Sequence, residues 1–105
     1  MELPNLSYIE ELSGGDKIFQ DKLINIIKKE YPVEKAVYIE NITMLNFQEA
    51  ANNVHKLKHK ISILGLKKSY EIANNFEKEL KEYSLNGQDA FDIILQTITH
   101  FLKTI

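Results

Sequence analysis

The chain has 105 residues, a formal net charge of −2 and a hydrophobic share of 44%, which predict one domain, residues 1–105, with a modest core and no room for a second. The absence of cysteine excludes disulfides, thiol nucleophiles and cysteine metal sites. No apolar run approaches the roughly 18 residues of a bilayer-spanning helix, and no basic-then-apolar signal pattern opens the chain, so a cytoplasmic location without membrane contact is expected.

Leu6 and Ile9 within residues 5–11, and Leu12 just beyond, stand at helical spacing, which predicts a short amphipathic helix. Ser13-Gly14-Gly15-Asp16 breaks it and offers a cap for the next one. From Lys17 the apolar positions Phe19, Leu23, Ile26 and Ile27 keep the period, and Val33, Ala36 and Val37 continue it beyond Pro32. A proline inside a helix costs about 3 kcal/mol and usually kinks it. One long bent helix from about 16 to 43 is expected, because neither glycine nor a polar loop accompanies Pro32; two helices meeting there are the alternative.

Asn46 and Glu49 have the spacing of a capping box, a second helix-start signal. Beyond it Phe47, Ala50, Val54, Leu57, Ile61 and Leu64 recur every three or four residues, the seam of a helix laid on a bundle core. At about 100° per residue, His55 points roughly 120° away from the centre of that seam, toward water. Lys58, His59 and Ser62 follow at i+3, i+4 and i+7 on its side. Gly65 is the expected stop.

A further helix from about Lys67 carries Tyr70, Ala73, Phe76, Leu80 and Tyr83 as its stripe, with Glu77 and Lys81 an i,i+4 pair, and Asn86-Gly87 ends it. The last, from about Gln88 to Lys103, turns Phe91, Ile94, Leu95, Ile98, Phe101 and Leu102 inward. No strand pattern, repeat or linker is visible. The predicted class is all-α, an antiparallel up-and-down four-helix bundle with a short extra N-terminal helix, closing its own core as a monomer.

All thirteen basic residues are lysine. Sequence-specific DNA reading leans on bidentate arginine, and single-strand binding on stacking aromatics; Tyr70, the one aromatic in the basic region, is assigned by spacing to the core, so no nucleic-acid partner is expected. Lysines still attract phosphates as point charges. Lys56, Lys58, Lys60, Lys67 and Lys68 crowd residues 55–68 with no acid among them, an invitation to an anion.

His55-x-Leu57-Lys58, followed by Leu64-Gly65, resembles the signature of histidine phosphotransfer (HPt) domains, roughly H-x-L-K-G-S-x-x-x-L-G. Leu12-Ser13-Gly14-Gly15-Asp16 and Phe19 are similar to the start of that family's first long helix. Phe76-Glu77 stands where the family commonly has Leu-Glu. The resemblance runs through most of the chain and implies a phosphorelay intermediate of a two-component system. His55 would take a phosphoryl group from an aspartyl phosphate on a response-regulator receiver domain, such as that of a hybrid sensor histidine kinase, and pass it to another receiver. No cofactor would be bound by this chain, and Mg²⁺ would sit on the partner receiver. An imidazole titrates near 6.5 in water and is largely neutral at about pH 7, so its lone pair attacks without a general base. Met1 with almost no leader is compatible with a free-standing protein and with a domain of a hybrid kinase.

Supporting roles follow. Lys58 has two readings, attracting phosphoryl oxygens or extending its stem over the bundle edge. Lys56 and Lys60 would draw in an acidic receiver surface. Glu77 either reaches across to the second ring nitrogen or makes only a solvated pair with Lys81. Gly65 is structural. His59 and Lys60 depart from the family at the usual Gly and Ser; His59 would narrow the docking surface, alter partner choice or act as a second acceptor. His55 and His59 also form an H-x₃-H pair, but zinc wants a third ligand and the neighbouring lysines repel a cation, so no metal is expected. His100 reads as a surface or packing residue. The alternative function is a helical adaptor, including a degenerate HPt that docks receivers without carrying phosphate.

Overall fold

Every predicted helix forms. The computed structural model describes residues 2–105 as α1 (Ser7–Ser13), α2 (Lys17–Thr43), α3 (Phe47–Ile63), α4 (Lys67–Lys81) and α5 (Gln88–Leu102), with no strand among the described residues. Asp16 caps α2 as its position suggested: Oδ1 accepts from the backbone N–H groups of Ile18 and Phe19 at 3.0 and 3.3 Å, two donors that a helix start otherwise leaves without partners. Twenty-seven residues of helix span about 40 Å at 1.5 Å each, close to the longest dimension of the molecule, 43 Å.

Pro32 lies inside that helix, which runs through it. The ring removes one backbone donor and crowds the preceding turn, and the residue is exposed, so nothing on the far side offsets the loss. Pro32→Ala is therefore expected to raise stability by about 1–3 kcal/mol in urea denaturation. An unchanged or lowered midpoint would show that the distortion is needed for packing.

One cluster of buried side chains joins the helices. The seam of α3 is buried as its spacing requires, with Ala50, Val54, Leu57, Ile61 and Leu64 all at 0% exposure. On α2 the expected stripe is corrected. Phe19, Ile26, Val33 and Val37 stay substantially exposed, as does Leu12, and the inward face is Ile27, Tyr31, Tyr38 and Ile42. The two tyrosines succeed inside because α5 supplies their polar partners. Tyr31 Oη donates to the Leu95 carbonyl at 2.6 Å and Tyr38 Oη to Asp92 Oδ1 at 2.9 Å. Burial pushes the Tyr31 hydroxyl up to about 12 and, with Asp92 beside it, raises that of Tyr38 further. The Tyr38, Phe76 and Phe91 rings meet edge-on or tilted at 5.1–6.5 Å, tying α2, α4 and α5 together.

Three further expectations are corrected. The Asn46 side chain makes no capping bond; its Nδ2 donates to Asn41 instead, so the Asn46–Glu49 capping box is not formed. The fourth helix stops at Lys81, before Asn86-Gly87, and Tyr83 sits beyond it at a φ of +62°, exposed, with its ring edge-on to Phe47. Tyr70 lies on the rim, 37% exposed, rather than in the core. Gly65 does end α3's turn, at a φ of +77° where a side chain would be strained and a Cβ would meet Asn5 at 2.6–3.0 Å.

Candidate functional site

The site is built where α3 crosses α4. Gln48 reaches the Lys81 carbonyl, His55 reaches Glu77 and Lys58 reaches Asn74, so the two helices run in opposite senses, joined by the short turn at 64–66. Within this register His55 stands out into solvent, its side chain 55% exposed. Its Nδ1 lies 3.3 Å from both carboxylate oxygens of Glu77.

A carboxylate only accepts, so Nδ1 is the protonated nitrogen in the neutral ring. Nε2 is then left with its lone pair. Of the two readings of Glu77, the reach across the groove is present, and the Lys81 pair accompanies it at 3.5 Å. Glu77 is itself buried, and its anchor is Lys58, whose Nζ lies 2.8 Å from Oε1. Lys58 is 6% exposed, donates also to Asn74 Oδ1 at 3.0 Å, and passes 5.4 Å from the centre of the Tyr70 ring. The arrangement is a chain of contacts from Asn74 through Lys58 and Glu77 to the imidazole. Sequence reasoning missed Asn74; it lies one turn before Glu77, on the same side of α4, and no other signal marks it.

Burial alone pushes the Glu77 carboxyl up, but the hydrogen bond and charge of Lys58, then those of His55, outweigh it and hold the group below the usual glutamate range. The unfolded carboxyl titrates at about 4.3. Because the folded value is lower, the stabilisation is complete above that pH and is lost as pH falls through the lowered value. Glu77→Gln is expected to flatten this part of the acid limb below about pH 5. Urea midpoints that fall equally in the two proteins would contradict it.

The remaining lysines divide. Lys60 is largely covered and lies 2.9 Å from Glu30 and 3.4 Å from Glu34 of α2, so its charge is matched within the fold. Lys56 is exposed. His59 is exposed one turn beyond His55, the two rings edge-on with centres 5.4 Å apart. His100 is on the surface, at the far end of α5.

No family model, curated protein or solved structure matches the chain.

Among the described residues no three or more histidine or acidic side chains converge as a metal centre, and no helix is long and apolar enough to cross a membrane. Far from the imidazole, Glu2 supplies a cap that local sequence does not: its carboxylate accepts from the backbone N–H groups of Lys68 and Ser69 at 2.9 and 3.0 Å, at the start of α4.

Proposed function

We propose that the chain is a histidine phosphotransfer module, with His55 the phosphoryl carrier between receiver domains of a two-component phosphorelay. One observation carries the reading: an exposed imidazole whose Nδ1 is held by a buried carboxylate, leaving Nε2 free to solvent. The helix frame supports it. In this reading α2 to α5 form an antiparallel up-and-down four-helix bundle, with α1 the short extra helix.

The Nε2 lone pair attacks the phosphorus of an aspartyl phosphate on the receiver. The N–P bond forms as the acyl P–O bond breaks, and the aspartate leaves as a carboxylate. The Nδ1 proton stays where it is, so the phosphorylated ring is cationic and gains from the Glu77 carboxylate beside it. Lys58 acts at one remove, fixing Glu77. Phosphoryl transfer needs alignment and charge neutralisation more than proton movement, and neither depends on a metal or cofactor held by this chain. Mg²⁺ belongs to the receiver. Partners are a response-regulator receiver and a hybrid sensor histidine kinase, met in the cytoplasm by a monomer. Lys56 is the exposed lysine that contributes to attracting an acidic partner.

The test is incubation of the chain with phosphorylated receiver domains and Mg²⁺. Acid-labile, base-stable label on the chain is expected. Detectable binding without label across several receivers would overturn the carrier role and favour the docking adaptor.

A further inference from the structure

The exposed ring of His59 has no part in the transfer chemistry above, yet it stands one helical turn from the carrier imidazole. The two ring centres are 5.4 Å apart and the planes cross at 72°. Two imidazoles bound to a tetrahedral zinc ion, with Zn–N bonds of about 2.0–2.1 Å, hold their ring centres about 5 Å apart. The spacing is compatible with a shared ligand position, on one helix and open to solvent, once each ring turns a nitrogen toward the same point.

The second observation is the partner of His55. A metal-ligating histidine characteristically donates its other ring N–H to a carboxylate, which fixes the tautomer and raises the basicity of the ligating nitrogen. Glu77 holds Nδ1 of His55 in this way. The lysines that make the stretch look hostile to a cation are mostly neutralised: Lys58 by Glu77, Lys60 by Glu30 and Glu34. Lys56 stays exposed beside the two rings, and the half-exposed Lys81 is paired with Glu77 at 3.5 Å.

The geometry points to a two-imidazole site at His55 and His59 for a zinc-class divalent cation, occupied in competition with the phosphoryl group on His55. Water fills the two remaining positions of the tetrahedron, one more than in an open zinc site with three protein ligands. Imidazole suits Zn²⁺, Cu²⁺ and Ni²⁺ and discriminates against Mg²⁺, so the ion that assists transfer on a receiver does not occupy this position. The metal half of the inference stands on the paired rings and the Glu77 carboxylate behind His55; the competition half rests on the relay reading.

Calorimetric titration of the full chain with ZnCl₂ at neutral pH tests the first half. Single-site binding is expected, lost in His59→Gln and in His55→Gln, and weakened about tenfold in Glu77→Gln. Circular dichroism checks that each variant is folded. Binding that survives His59→Gln, or no binding by the wild type, overturns the site. The second half uses phosphoramidate as a small phosphoryl donor, which transfers phosphate to imidazole with loss of ammonia and needs no receiver. Zinc is expected to slow labelling of His55 in the wild type and to leave the His59→Gln rate unchanged. Equal slowing in both proteins overturns the competition. Absence of His55 label even without zinc sinks the relay reading and the competition with it, while the calorimetric result stands.

Discussion

Replacing His55 with glutamine is expected to abolish acid-labile label completely while leaving the fold intact. The ring is exposed, its one bond is to Glu77, and glutamine keeps a donor at similar reach. Surface substitutions of this kind change stability by within about 0.5 kcal/mol, so the loss of label would be chemical rather than structural. An amide nitrogen has no lone pair available for attack on phosphorus. The measurement is label per molecule after exposure to a phosphorylated receiver, beside a thermal melt of each protein. Label persisting in the variant would move the carrier, with His59 the first candidate.

Glu77→Ala is expected to be the most damaging single change at the site, for a reason that lies away from the imidazole. Removing the carboxylate strands the Lys58 ammonium, 6% exposed, with Asn74 as its remaining hydrogen-bond partner. Breaking a buried pair from one side costs about 3–5 kcal/mol, because the remaining charge is uncompensated. The double variant Glu77→Leu with Lys58→Met removes both charges and is expected to recover most of that stability. On the proposed relay reading it should still transfer phosphate slowly, since no group would then orient Nδ1 or balance a cationic phospho-ring. Urea denaturation and the rate of label appearance separate the two effects. A double variant as unstable as Glu77→Ala would mean that the ion pair itself, rather than the stranded charge, stabilises the crossing.

What the sequence revealed depended on whether a residue's environment is set by its own helix. The seam of α3 was legible because one face of one helix carries it, and the exposure of His55 followed from its angle to that seam. The inward face of α2 was not legible. Isoleucines and valines stand on both sides of that helix, and the positions that decide it are Tyr31 and Tyr38, whose hydroxyls are tolerable inside only because Leu95, Thr99 and Asp92 wait on α5. Glu77 posed the same difficulty at the site. Its partner on its own helix, Lys81, is visible in sequence, whereas its contacts to His55 and Lys58 depend on how α4 is registered against α3. The capping spacing at Asn46 misled because the side chain found Asn41 instead.

His55, Lys58 and His59 are on α3; Asn74 and Glu77 are on α4; the other three helices contribute no side chain to the contacts that orient the imidazole. The site's persistence in time is therefore that of one helix–helix seam. Fraying of α1, or a brief opening of α5 from α2, breaks none of these contacts directly. Parting α4 from α3 by the width of a water molecule releases the ring, exposes the carboxylate and frees the ammonium together. Amide-exchange protection along α3 and α4, rather than global stability, is the quantity that measures how long the imidazole stays aimed.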